Sequence, residues 1–267
     1  MRSTKSDVRF VALSATIPNA PDICAWLGRS PGAPGTPARL EVFGSEFRPV
    51  KLQKHVYGFP CQGGNDFVFD KVLDRAYVNL TTIFSDPNDS IPSLPELVRK
   101  HGAGKPVMLF CMTRSICEST ARLLAGTWSG LDAGRKPWAG PRKRFKFQSG
   151  ELQYTANRGV AFHHAGVDAS DRTLVESLYL EGELNVICCT STLAVGVNLP
   201  AHLVILKNTV TWSDGAREYV DLEVMQMLGR AGRPQFGDTG VAVIMTAKHK
   251  VTKYERMAEG TETLESR

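Results

Sequence analysis

With 267 residues, 42% hydrophobic and 22% charged, the chain has room for one large α/β domain with parts of its neighbours, or for two small domains. It is too apolar for global disorder, and a formal charge of +5 is compatible with a polyanionic partner without requiring one. Six cysteines show neither CxxC pairing nor a Cys/His cluster at zinc spacing, which argues against a structural metal site. With no charged-then-apolar leader and no apolar run near the roughly eighteen residues of a membrane span, an intracellular protein without a membrane partner is expected.

Residues 8–13 are a β-branched apolar run ending in Ser14, Ala15 and Thr16, a strand that stops at small hydroxyl residues. Residues 19–27 predict a short helix, and the Gly/Pro-rich 29–37 a linker. Apolar and polar residues alternate over 39–59, predicting extended strands, and 66–84 has a helical period. From Lys105 an α/β rhythm begins. Strands are expected at 106–111, 160–162, 185–190, 203–207 and 240–245, and helices at 116–125, 170–180 and 222–228.

That alternation predicts a parallel sheet with helices on both faces. Ligand groups in such sheets gather on loops leaving the carboxyl ends of strands, where Thr113, His164, Thr190 and Ser191 fall. Residues 126–157 form a long polar insert. Within it Arg135, Lys136, Arg142, Lys143, Arg144 and Lys146 alternate with Trp138 and Phe145, a composition that could touch nucleic acid or serve nuclear import. A solvated flexible loop is the plainer reading of the same stretch.

Two blocks carry chemistry. TSTLAVGVNLPA, residues 190–201, follows a buried strand, so its hydroxyls and amides can hold the phosphates of a polymer. In it Gly196 permits close approach, and Asn198 offers a donor and an acceptor to a ribose or to Gln226. QMLGRAGR, residues 226–233, sets Arg230 and Arg233 among Gly229 and Gly232, with guanidiniums suited to charge on a phosphoryl group and glycines that let backbone approach a bound group. The tempting GAGK at 102–105 precedes a strand and is followed by proline, so it reads as a turn rather than a phosphate loop.

The order of Ser14-Ala15-Thr16, 109–114, 161–166, 190–201 and 226–233 resembles motifs III to VI of superfamily-two helicases. "GVNLPA" and "QMLGRAGRPQF" resemble the Ski-two-like branch. "RFVALSATIPNAPDICAWLG", "FGSEFRPVKL", "VAFHHAG" and "EYVDLEVMQMLGRAGRPQF" look most like meiotic crossover DNA helicases of the Mer-three type.

The resemblance implies an α/β fold, a RecA-like parallel sheet forming the second motor domain, with a remnant of the first. Residues 1–37 would be the end of the first RecA-like domain and a linker. Residues 38–250 would be the second domain, and 251–267 the start of a linker toward a winged helix. Ser14 and Thr16 would couple hydrolysis to movement. Thr113, Arg114, His164, Gly166, Thr190 and Ser191 would line the track of a 3′-to-5′ loading strand. Gly196, Asn198 and Gly229 would approach ATP. Gln226 would sense the γ-phosphate and position water, with Arg230 and Arg233 as arginine fingers.

The family's GxxxxGK[ST] cradle and its DExH box, which binds magnesium, do not occur in this sequence. ATP and Mg would therefore be held largely by the first motor domain, and this chain alone would be inactive. The implied partners are DNA, as single strand, duplex or junction, together with the first motor domain and the winged helix. The implied setting is the nucleus. An RNA helicase of the same branch and a non-catalytic nucleic-acid-binding scaffold remain open as alternatives. A small-molecule enzyme would need a dinucleotide fingerprint or a nucleophile constellation, and neither is present.

Overall fold

The computed structural model describes residues 11–13, 20–28, 37–43, 47, 49–59, 93–212, 215–234 and 237–259. The chain divides into two compact units, 1–48 with 263–267, and 49–262. In the first unit the expected helix forms as α1, Ala20–Leu27, and the carbonyl of Cys24 accepts from the amides of Gly28 and Ala38. Residues 11–13 of the expected first strand have no regular structure, and the rest of that strand lies outside the described residues, as do Ser14 and Thr16.

The second unit is built on a six-stranded parallel sheet: β1 (Lys51–Phe59), β2 (Val107–Phe110), β3 (Val160–His163), β4 (Val186–Cys189), β5 (Leu203–Leu206) and β8 (Thr239–Ala247). The spatial order is β1-β8-β5-β2-β4-β3, parallel throughout. VMLF, VICC and LVIL are unbroken apolar runs buried along their whole length, as strands covered on both faces must be. All the strands expected after Lys105 form. Among the described residues the extended stretch expected over 39–59 yields regular strand only in β1, and the helix expected over 66–84 lies outside them.

The helices are α2 (Leu94–Gly102), α3 (Arg114–Ser129), α4 (Gly150–Ala156), α5 (Ala169–Leu180), α6 (Thr192–Gly196), α7 (Asp221–Leu228) and α8 (Val251–Glu259). Their starts follow from local chemistry. The Thr113 hydroxyl accepts from the amide of Ile116 to cap α3, and the Asp168 carboxylate accepts from Ser170 to cap α5. At α2 the Glu96 carboxylate reaches back to the amide and hydroxyl of Ser93. The GAGK segment is a turn, as read. Ala103 and Gly104 have φ of 50° and 70°, and Lys105 donates to the carbonyl of Gly102 before β2 begins. Among the described residues no helix is long and apolar enough to cross a membrane.

Three segments differ from expectation. Two short strands given no element from sequence, β6 (Val210–Trp212) and β7 (Ala216–Glu218), pair antiparallel as the arms of a hairpin. Residues 251–259, read as the start of a linker, form α8, which packs on β1 and β8 with Tyr254 and Met257 buried.

The insert over 126–157 is ordered rather than a flexible loop. α3 runs on to Ser129, a short 3-10 turn spans Ala133–Arg135, and α4 closes the segment. Trp138 is buried and its indole N–H donates to the carbonyl of Arg158 at 2.8 Å. Two buried carboxylates hold the backbone that follows. Glu183 accepts from the amides of Arg142 and Lys143, which keep its carboxyl below the usual range, and Asp171 accepts from Gln148 and Ser149. Four of the six basic side chains have partners of their own. Arg135 pairs with Asp132 at 3.4 Å, Arg142 with Glu183 at 3.5 Å and Lys143 with Glu181 at 2.6 Å, while Lys136 sits 3.4 Å over the Trp128 ring.

Candidate nucleotide and nucleic-acid site

The two blocks singled out from sequence meet through backbone. Ala201 donates to the carbonyl of Arg230 at 3.1 Å, and Gly232 donates back to Ala201 at 2.9 Å, closing a parallel bridge between Ala201 and Ala231. Gly232 makes the bridge possible. Its φ of 73° favours glycine, and a Cβ there would press on Val50 and on the Cα of Gly240. Its smallness lets the 230–232 segment pack onto the start of β8. Gly229 likewise ends α7, and a Cβ would lie 3.1 Å from the carbonyl of Met225.

This zip carries the two arginines to one place. Arg230 donates through Nε and Nη2 to the carbonyl of Ala194, and through Nη1 to Asn198 Oδ1 at 3.2 Å. Arg233 Nη2 reaches the same Oδ1 at 3.3 Å, so Asn198 serves the arginines rather than Gln226. Burial and the neighbouring Arg233 lower the Arg230 pKa from an ordinary value high enough that the guanidinium stays charged. Neither arginine pairs with a carboxylate among the described residues, and the Nε of Arg233 is buried without a partner there. Gln226 lies half-buried on α7, one turn before Arg230, and Gly196 ends α6 on the segment leading to Asn198. The donor set is two unneutralised guanidiniums with a spare buried N–H, which fits an oxyanion such as a phosphate.

A second concavity of about 510 Å³ opens at the carboxyl ends of β2, β3 and β4. It is lined by residues 112–115, Ala165, residues 190–192 and Thr211, so Thr113, Arg114, Thr190 and Ser191 come together as expected. The Thr190 and Thr192 hydroxyls bond each other at 2.9 Å. His164 does not line the groove. It is 3% exposed, and both ring nitrogens are engaged: Nδ1 by the amide of Gly166 and Nε2 by Glu118.

Sequence reasoning missed Thr211, Tyr219, Glu118 and the Ala194 carbonyl. Tyr219 is buried, which pushes its pKa up to about 12, and it hydrogen-bonds the side chains of Thr211 and Ser191. It ties the hairpin to the groove floor. No spacing in the sequence signals this contact, because the hairpin that makes it was itself unforeseen.

The profile of the helicase conserved C-terminal domain matches residues 142–235. Over 267 residues the chain is 40% identical to the ATP-dependent DNA helicase MER3 of Saccharomyces cerevisiae, covering all of this chain and 20% of that protein. It is 39% identical to the probable ATP-dependent DNA helicase HFM1 of Homo sapiens, covering 99% of this chain and 17% of that protein. Activating signal cointegrator 1 complex subunit 3 of Bos taurus is 35% identical over 95% of this chain and 11% of its own length. The chain thus spans a fifth or less of these relatives.

Proposed function

From a helicase C-terminal domain of the kind found in MER3 and HFM1, we propose a full-length protein that is an ATP-dependent 3′-to-5′ DNA helicase of meiotic recombination, working in the nucleus. In this reading the chain is the second of two RecA-like motor domains, and ATP with its Mg sits between the two. The observation that carries it is the pair of guanidiniums gathered on Asn198 without a carboxylate partner among the described residues. Such a pair supports charge on a phosphoryl group in transfer. ATP would supply the bond that is hydrolysed. Gln226 would orient water, Gly196, Asn198 and Gly229 would shape the edge of the site, and Mg would be held on the other domain.

Thr113, Arg114, Thr190 and Ser191 would hold the loading strand by its backbone, with Ser14 and Thr16 coupling the two sites. Backbone contacts of this kind position a strand without reading its bases. A winged helix would complete the full-length protein.

The test is Arg233→Ala in the full-length protein. ATP turnover is expected to fall by roughly a hundredfold or more while single-stranded DNA affinity holds. Unchanged turnover would refute the finger assignment. Preferential unwinding of RNA duplexes would move the assignment to the RNA branch, and the 267-residue chain alone is expected to turn over no ATP.

A further inference from the structure

The sequence places His164 on the nucleic-acid track, yet the side chain is buried beneath it. Its ring stacks on Phe162, with centroids 5.7 Å apart and planes 12° from parallel. The amide of Gly166 donates to Nδ1 at 3.2 Å, which makes Nδ1 the bare nitrogen and places the ring proton on Nε2. Nε2 then donates to Glu118 Oε1 at 3.1 Å. With both nitrogens engaged inward, the ring has nothing to offer a phosphate.

We propose that Glu118 is a positioning residue for nucleic-acid binding, holding His164 as the Nε2–H tautomer so that the Ala165–Gly166 turn and Arg114 are presented to the groove. Glu118 and Arg114 lie one turn apart on α3, and both Arg114 and Ala165 line the groove. An Arg114 nitrogen lies 3.4 Å from where a Cβ on Gly166 would stand, so the turn and the guanidinium pack on one another. A histidine whose second nitrogen is fixed by a carboxylate keeps one tautomer and one orientation, and so does the backbone bonded to its first.

The charged groups facing the ring agree. Burial lowers the His164 pKa most, Glu118 opposes that, and Arg114 and His163 add to it. His163, on β3, is itself paired with Glu176 of α5 at 2.8 Å. The ring is therefore neutral at neutral pH, the form in which Nδ1 can accept. On acidification the imidazolium becomes a donor at both nitrogens, and the Gly166 bond is lost.

The inference rests on reading the groove as a nucleic-acid track, and the experiment separates the two. Single-stranded DNA affinity of the full-length protein is measured from about pH 5.5 to 8 for wild type, E118A, E118Q and the groove variant T190V. At the alkaline end E118Q should bind like wild type, because its amide oxygen still accepts from Nε2–H, while E118A weakens by roughly fivefold or more. On acidification E118Q should lose affinity at lower pH than wild type, since no carboxylate favours the charged ring.

E118A equal to wild type, or E118Q as weak as E118A, overturns the dyad, while weakened T190V leaves the groove standing. Absence of DNA and RNA binding by wild type overturns the groove and the dyad with it. Should E118A unfold, the displacement of the E118Q acid limb decides alone.

Discussion

Arg230 and Arg233 share one acceptor, the Oδ1 of Asn198, at 3.2 and 3.3 Å. The Ala201–Ala231 bridge fixes the backbone on both sides of that contact. Two like charges held together by a neutral amide are positioned without being neutralised, and the field of the pair stays available to an anion. Asn198→Asp would change this, because the carboxylate gives both guanidiniums a charged partner. ATP turnover of the full-length protein is expected to drop about tenfold or more, with single-stranded DNA affinity unchanged. Wild-type turnover in that variant would contradict the arrangement.

Gly240 offers a test of the support beneath the arginines. A Cβ at this position would overlap the Cα and amide of Gly232, backbone that cannot swing aside as a side-chain tip could. Gly240→Ala should therefore cost about 1–3 kcal/mol or more and disturb the 230–233 segment. Thermal unfolding of the variant should show a clear drop in midpoint, together with reduced ATP turnover. A midpoint matching wild type would show that the β8 edge yields more easily than its packing suggests.

The middle of the sheet was legible because β2, β4 and β5 are short, fully apolar and punctuated by polar loops, as VMLF, VICC and LVIL show. The arginine block was legible too, since residue type and spacing carry its chemistry. What escaped has no periodic signal. The role of Asn198 depends on a bridge between segments thirty residues apart. The engagement of the His164 ring depends on Glu118, 46 residues earlier in the chain, on α3. The insert misled because its charged composition resembles that of a loop, although Trp138, Asp171 and Glu183 anchor it from within.

The insert's charges give the next prediction. Arg142 and Lys143 are tied to Glu183 just before β4, and Trp138 to Arg158 just before β3, so this cluster sits at the amino ends of strands whose carboxyl ends form the groove. Replacing Arg135, Lys136, Arg142 and Lys143 together by Gln should leave both the single-stranded DNA affinity and its salt dependence unchanged. The solvent-screened ion pairs lost should change stability little, whereas Trp138→Ala should cost about 3–5 kcal/mol. A salt slope reduced by several units would place nucleic acid on the insert.

Glu218 predicts how acid unfolds the C-terminal edge. The Tyr254 hydroxyl donates to its Oε1 at 2.6 Å and Lys253 lies 2.9 Å away, with Lys250 at 3.4 Å from Oε2. Burial alone would raise the Glu218 pKa, but the hydrogen bonds from Tyr254 and Lys253 and the nearby lysines outweigh it and hold the carboxyl below its ordinary 4.5. A carboxylate depressed in the folded state contributes stability in full above its ordinary value, and loses it as pH falls through the depressed one. Glu218→Gln should therefore lower the melting midpoint at neutral pH, where the charged bonds are intact, and lower it less on acidification. Melting curves taken from about pH 7 down to 3 would then converge for wild type and variant. Parallel curves across that range would mean that the carboxylate charge at β7 does not hold α8 in place.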